Sequence, residues 1–367
     1  MTEEKYMRLA IELAKKGCGR VSPNPMVGAV IVKDGRIIGQ GYHTQYGKLH
    51  AEREALAACS ESPEGADMYV TLEPCCHHGK QPPCTDAVIA AGIRRVVIGS
   101  ADPNPLVAGK GVEILRDHGI SVEESFLRQE CDALSTVFFH YIKTGLPYVV
   151  MKYAMTMDGK IATYTGASRW ITGEAARRRV HEDRHRYSAI MVGIGTVIRD
   201  DPLLTCRIPE GIDPVRVICD TNLGMPLESQ IVKTAGKHRT IIATSGGENG
   251  EKIKALTNAG CQVVTVKEKD RHIDLTELMR KLGELKLDSV LLEGGGTLNW
   301  SALKAGIVNR VQAYIAPKIF GGKKAPTPVG GIGAALPDEG FMLSEPEITM
   351  IGGDILMESE VRTCSRE

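Results

Sequence analysis

The chain has 367 residues, 43% of them hydrophobic and 25% charged, and its 45 basic residues are balanced by 45 acidic ones. This length suits about two domains and the composition is that of a globular protein with ample core, while the zero net charge leaves no field to draw in nucleic acid or an anionic membrane. No apolar run is long enough to span a bilayer, no secretory h-region is evident at the N-terminus, and ten cysteines grouped near histidines suit a reducing, cytoplasmic setting.

In chain order, MTEEKYMRLAIELAKKG has helical spacing, with Tyr6, Ala10, Leu13 and Ala14 on one face. MVGAVIVKDGRIIGQGYH predicts two strands around an Asp34-Gly35 turn. AEREALAAC (51–59) predicts a helix, ADMYVTL a strand ending at Glu73-Pro74, TDAVIAAG a helix closed by Gly92, and RRVVIGS a further strand. That β-β-α-β-α-β order implies a mixed sheet covered by helices. Residues 121–147 read as a bridge with one helix around CDALSTVFFHYIKTG, which sets a boundary near 144–147 and gives domains 1–145 and 146–367. The second region alternates again, with strands at 188–192, 215–220, 240–244, 261–266, 289–294 and 310–317 and a helix in DLTELMRKLGEL. Arg177-Arg178-Arg179 reads as a solvated helix face, and residues 322–367 carry no legible chemistry.

Three residues in the first region sit where elements begin or end. His50 opens a helix, Cys75 follows a strand and Cys84 precedes a helix, so all three are expected on one face, near helix N-termini that favour thiolate. One imidazole and two thiolates leave a fourth tetrahedral position for water, the arrangement of catalytic zinc. Glu52, two residues beyond the histidine, is placed to take and return the water proton. H-x-E followed by P-C-x-x-C marks zinc nucleobase deaminases. Here the insertion CHHGKQPP stands between Cys75 and Cys84 and is expected to bulge outward. The alternative is a closed structural site completed by Cys76, His77 or His78, although neighbouring side chains of an extended segment point opposite ways.

In the second region the dinucleotide fingerprint is incomplete. Gly193-Ile194-Gly195 follows a strand without a third glycine, and no acidic residue is expected to end a second strand about twenty residues on. LLEGGGTLNW, with Thr297 opening a helix, is the better phosphate cradle.

With these motifs assembled, the chain resembles a known family. HAE, EPC-x-H-x-G-K-x-PPC and DPNPLVAGKG are similar to the deaminase half of the bifunctional riboflavin-biosynthesis deaminase/reductases. MDGKIAT, SRWIT, GTVIRDDPLLTCR, LLEGGGTL and YIAPKIFGG are similar to the reductase half. The resemblance implies an α/β protein with an N-terminal cytidine-deaminase-like three-layer α/β/α domain and a C-terminal dihydrofolate-reductase-like α/β domain. It implies zinc on His50, Cys75 and Cys84, with Glu52 catalytic, and Asn24, His43, Lys80, Asp102 and Asn104 around a phosphorylated pyrimidine. NADPH would be held by Ala154, Trp170, Thr196, Asp200, Thr221 and the run Gly295, Gly296, Thr297, Leu298, Asn299, Trp300 and Ser301. The reductase substrate would meet Lys152, Ser168, Arg184, Leu204, Arg207 and Glu293.

The implied activity is hydrolytic deamination of 2,5-diamino-6-ribosylamino-4(3H)-pyrimidinone 5′-phosphate, followed by reduction of its ribosyl side chain to ribityl. A homo-oligomer is expected, and nucleic-acid and membrane partners are not. The chain departs from the family at Cys76, usually Ser or Asn, at Gln81, usually Thr, at Arg53, usually apolar, and at Thr221, usually Ser. Two other readings stand beside this one: deamination of a nucleic-acid base, which the zero net charge disfavours, and a zinc-stapled binding module fused to a reductase.

Overall fold

The computed structural model describes residues 3–246 and 250–362. The chain divides into two compact units, Met1–Gly145 and Leu146–Glu367.

The first unit runs α1 (Glu4–Lys15), β1 (Gly28–Lys33), β2 (Arg36–Tyr42), α2 (Ala51–Ala57), β3 (Asp67–Leu72), α3 (Cys84–Ala90), β4 (Arg95–Ser100), α4 (Lys110–Asp117), β5 (Ser121–Glu123), α5 (Arg128–Leu134) and α6 (Thr136–Thr144). Its sheet has the order β2-β1-β3-β4-β5. The β1 pairings are antiparallel, and β3, β4 and β5 are parallel.

The two-residue period of a strand divides the core cleanly. Val30, Val32, Tyr69 and Val97 meet Met7, Ala10 and Ala14 of α1 and Leu134 of α5. Ala29, Ile31, Met68, Val70, Val96 and Ile98 meet α2, α3, α4 and Phe138 on the opposite face. The result is three layers. Two glycines of β2 let α2 lie almost on the strand: a Cβ on Gly41 would stand 2.4 Å from Ala55 N, and one on Gly39 would stand 2.4 Å from Ala55 O. Residues 121–147 are more than a bridge. Ser121–Glu123 adds an edge strand parallel to β4, and Ser135 divides the expected single helix into α5 and α6.

The second unit runs β6 (Tyr148–Thr156), α7 (Glu174–Arg186), β7 (Ala189–Gly193), α8 (Ile194–Asp200), β8 (Val215–Cys219), α9 (Gln230–Lys233), β9 (Thr240–Thr244), α10 (Gly250–Asn258) and β10 (Cys261–Thr265). It continues with the short hairpin β11 (Glu268–Lys269) and β12 (His272–Ile273), then α11 (Leu275–Glu284), β13 (Ser289–Leu292), α12 (Gly296–Lys304), β14 (Arg310–Ala316), β15 (Glu347–Ile351) and β16 (Asp354–Glu360). Nine strands form one sheet in the order β10-β9-β8-β7-β13-β6-β14-β16-β15, parallel as far as β14 and antiparallel beyond it. Leu275, Leu278, Met279 and Leu282 of α11 and Ala302 and Leu303 of α12 cover one face. Val197 of α8, Ile231 and Val232 of α9 and Leu256 of α10 cover the other. Residues beyond 322, silent in sequence, supply the last two strands. No described helix is long and apolar enough to cross a membrane.

The arginine run of α7 is not a uniformly solvated face. Arg178 has 77% of its side chain exposed, whereas Arg177 lies 4.6 Å over the Trp170 ring and Arg179 is half-buried, 3.8 Å from Asp183.

Candidate active sites

The glycine contacts of β2 fix the start of α2, and with it the chemistry of the first unit. His50 is the N-cap of α2 and Glu52 lies in its first turn. Cys84 opens α3, and Cys75 follows β3 after Glu73-Pro74. The insertion between the cysteines does not separate them. Cys84 N and Thr85 N both donate to the Cys75 carbonyl, at 2.9 and 3.2 Å, so the loop closes at its base while His78, Gly79, Lys80 and Pro82 are exposed. Arg53 adds a second tie, its Nη2 donating to the Pro83 carbonyl at 2.7 Å.

The donor atoms of His50, Cys75 and Cys84 lie within 4.8 Å of one another, and His50 Nδ1 is 3.4 Å from each sulfur. One ring N–H serves only one acceptor well, so the geometry is that of three donors converging on a point. A tetrahedral zinc with Zn–N of about 2.0 Å and Zn–S of about 2.3 Å sets N···S edges of about 3.5 Å, and the three residues fit that ion. Hydrogen bonding from Cys84, then from His50, lowers the Cys75 thiol, while the Cys75 sulfur and burial push Cys84 well up. A divalent cation would stabilise both as thiolates. Among the described residues no fourth donor joins the group; Cys76 Sγ faces the Leu106 carbonyl at 3.6 Å. Glu52 is 3% exposed, and burial, reinforced by the Cys75 charge, raises its carboxyl to about 7.

Beside this cluster opens a cleft of about 290 Å³ that Asn24, His43, Lys80, Asp102 and Asn104 all line. His43 Nδ1 donates to the Leu49 carbonyl at 2.9 Å, which leaves Nε2 to accept from Asn24 Nδ2 at 3.1 Å. Asp102 Oδ1 accepts from Asn104 N at 2.8 Å, and burial raises the Asp102 carboxyl to about 6. Lys80 Nζ sits 4.0 Å over the Tyr46 ring, and Gln81 Nε2 donates to the Gly47 carbonyl. Sequence reasoning missed Glu73. Its buried carboxylate accepts from the N–H groups of Asp102, Gly109, Gly111 and Val112 at 3.0 to 3.4 Å, and so anchors the loop that carries Asp102 and Asn104. Its place inside the motif EPC was the only signal.

In the second unit a cavity of about 400 Å³ opens beyond β7 and β13. There α8 and α12 leave across opposite faces of the sheet, the kind of switch point at which open α/β sheets bind ligands. Thr196, Thr221, Gly295, Thr297, Leu298 and Ser301 line it. The other residues expected at the dinucleotide are placed differently. The Gly296 carbonyl accepts from Gly330 N, Asn299 is fully buried with Nδ2 donating to the Pro328 carbonyl, and Trp300 faces an adjoining cavity edge-on to Phe341. Ala154, Trp170 and Asp200 do not line this cavity, and Trp170, 59% exposed, is no core residue. Contrary to expectation an acid does follow β8. Asp220 is 1% exposed, and its carboxylate accepts from Gly224 N and Met225 N at 2.9 and 2.8 Å.

Arg184 holds Glu293 in a two-pronged ion pair, at 2.8 and 3.1 Å, and donates to the Thr205 carbonyl; Lys152 Nζ is 3.6 Å from the same carboxylate. Burial alone would raise the Glu293 carboxyl, but Arg184 and Lys152 override it and hold it at about 2. Burial, then Arg184 and Arg207, lowers His181 to about 4, which leaves that ring neutral at pH 7. Lys152, Arg184 and Arg207 thus outnumber the single acid. Ser168 is half-buried on the loop after β6, and Leu204, buried at φ +54°, directly precedes Thr205.

Residues 1–100 match the cytidine and deoxycytidylate deaminase zinc-binding region, and residues 147–356 match the RibD C-terminal domain. The riboflavin biosynthesis protein RibD of Actinobacillus pleuropneumoniae is 54% identical over 98% of this chain and 95% of its own. A crystal structure of a diaminohydroxyphosphoribosylaminopyrimidine deaminase/5-amino-6-(5-phosphoribosylamino)uracil reductase from Thermotoga maritima is 41% identical, with 98% of each chain covered and a TM-score of 0.84. Acinetobacter baumannii RibD superposes with a TM-score of 0.88 at 34% identity, over 98% of this chain and 99% of that one. Cytidine-deaminase-like and RibD-reductase folds are thus joined in one chain, as the motifs led one to expect, and the chain belongs to the RibD family, the bifunctional deaminase/reductases of riboflavin biosynthesis.

Proposed function

We propose that residues 1–145 deaminate 2,5-diamino-6-ribosylamino-4(3H)-pyrimidinone 5′-phosphate and that residues 146–367 reduce the ribosyl chain of the product to ribityl with NADPH. The observation that carries the first half is the convergence of His50, Cys75 and Cys84 beside buried Glu52 in one cleft. Zinc on those three ligands would lower the pKa of water to within reach of neutral pH. Glu52 then holds the proton given up as oxygen adds to the ring carbon bearing the amine, and returns it to the nitrogen that leaves as ammonia. Asn24, held by His43, and the Asp102–Asn104 turn, held by Glu73, orient the pyrimidine, and Lys80 meets its phosphate at the exposed rim.

For the second half, NADPH would supply the hydride. The glycine-rich turn at Gly295 lets backbone N–H groups approach the diphosphate, and the surplus of Lys152, Arg184 and Arg207 over Glu293 suits the substrate phosphate. Free thiols at the nine described cysteines agree with a cytoplasmic setting. We further read the chain as a homo-oligomer. Its outer strand β15 ends the sheet with Ile348 and Met350 each 63% exposed, an unpaired apolar edge of the kind proteins cover.

Stripping and restoring zinc tests the reading. Ammonia release from the pyrimidine should vanish without zinc and return with it, while NADPH oxidation by the deaminated intermediate persists. Deamination that survives metal removal would contradict the first half, and absence of NADPH oxidation would contradict the second.

A further inference from the structure

The cavity beyond β7 and β13 contains two arginines that the motifs did not single out. Arg199 lies on α8, and Arg271 sits at the tip of the β11–β12 hairpin; both line the cavity beside Thr221 and Asn222. Neither has an ion pair or hydrogen bond among the described residues. Arg271 is held at φ +65° and its turn neighbour Asp270 at φ +52°, a left-handed pair of positions where Asn and Gly are the easy residues. An arginine kept in that conformation carries a backbone cost and an uncommitted charge. Asp270 itself meets Lys304 of α12 at 3.0 Å in a surface ion pair, a contact between the hairpin and the helix that opens at the glycine turn.

The acid side of the cavity is closed off. In dinucleotide enzymes a carboxylate near this point takes the ribose 2′-hydroxyl when the cofactor is unphosphorylated, and an arginine takes its place when a 2′-phosphate must be met. Asp220 is the one carboxylate among the described cavity residues, and both its oxygens are engaged by Gly224 N and Met225 N. With each oxygen already accepting one of these bonds and the residue only 1% exposed, Asp220 is turned into the protein rather than presented to a ribose. Two guanidinium groups lining the same cavity as Thr221 and Asn222 suit a dianionic phosphate monoester.

We propose that Arg199 and Arg271 are the specificity-determining residues that make the second unit choose a 2′-phosphorylated nicotinamide dinucleotide over the unphosphorylated one, with Thr221 and Asn222 completing the phosphate site. This rests on the reading of the second unit as a dinucleotide-dependent reductase. The test is equilibrium binding to the full-length protein, followed by cofactor fluorescence, with NADPH and NADH as paired probes and 2′,5′-ADP and 5′-AMP as competitors. Wild type should bind NADPH well above NADH. Arg271→Ala and Arg199→Ala should each weaken NADPH and 2′,5′-ADP by about 10- to 100-fold and change NADH and 5′-AMP by less than about threefold, while Arg271→Lys recovers part of the loss. Unchanged NADH binding also reports that each variant is folded. If wild type prefers NADPH but the variants leave that preference intact, or weaken both cofactors equally, the assignment is wrong. If wild type binds neither dinucleotide, it is the reductase reading that falls.

Discussion

A methyl group placed far from any reacting atom should disable the deaminase. A Cβ at Gly41 would lie 2.4 Å from Ala55 N and 2.6 Å from the Glu54 Cβ, where ordinary contact begins at 3.4 Å. The backbone of α2 cannot rotate out of the way like a side chain, so Gly41→Ala must move the helix outward by about 1 Å, at a cost of about 1–3 kcal/mol from overpacking. His50 and Glu52 travel with it, and a misplacement of about 1 Å can cost around a hundredfold in rate. The expected result is a folded protein whose deamination kcat is about a hundredfold down and whose NADPH oxidation, assayed with the deaminated intermediate, equals wild type. Ammonia release and NADPH consumption measured on one preparation check this. Wild-type deamination by a folded Gly41→Ala protein would refute the claim that this close approach sets the site.

Other outcomes follow from single contacts. Glu73→Gln keeps the size of the side chain but removes the charge from four hydrogen bonds, so it should destabilise the first unit by about 2 kcal/mol in denaturant and raise the deaminase KM more than it lowers kcat. Glu293, held at about 2 in the folded protein against 4.5 in the unfolded chain, contributes stability that is fully present above pH 5 and lost as pH falls through 4.5 toward 2. Thermal melts of the second unit should show that acid-side slope, worth about 3 kcal/mol in total, and Glu293→Gln should abolish it. Lysine at Ile348 and Met350 together should shift the chain toward monomer in sedimentation, with monomeric wild type counting against the oligomer reading.

The first unit was largely legible because its chemistry lies where elements begin and end. His50, Cys75 and Cys84 are marked by a cap, a strand end and a helix start, and the same periodicities that fix those elements fix the core. The loop closure at Cys75 was not legible, since it depends on backbone N–H groups of Cys84 and Thr85 rather than on any side chain. Glu73 was hidden for a related reason: its four partners are main-chain donors in a distant loop and the first turn of α4. In the second unit a turn of glycines could be read, but the orientation of Asp220 and the placing of Arg271 on a two-residue hairpin are tertiary facts with no local pattern. Strand β15 was missed because an edge strand with four of its five residues exposed lacks the buried alternation that signals sheet, and β16, paired on both sides, because two of its three buried positions are the polar Asp354 and Ser359.

Glu52→Gln bears most directly on the central claim, because it preserves shape and the three donors while removing the proton carrier. The account predicts a folded protein that still holds one zinc per chain by elemental analysis, deaminates about 10²–10⁴-fold more slowly, and oxidises NADPH normally when given the deaminated intermediate. Deamination at the wild-type rate by that zinc-loaded variant would contradict it.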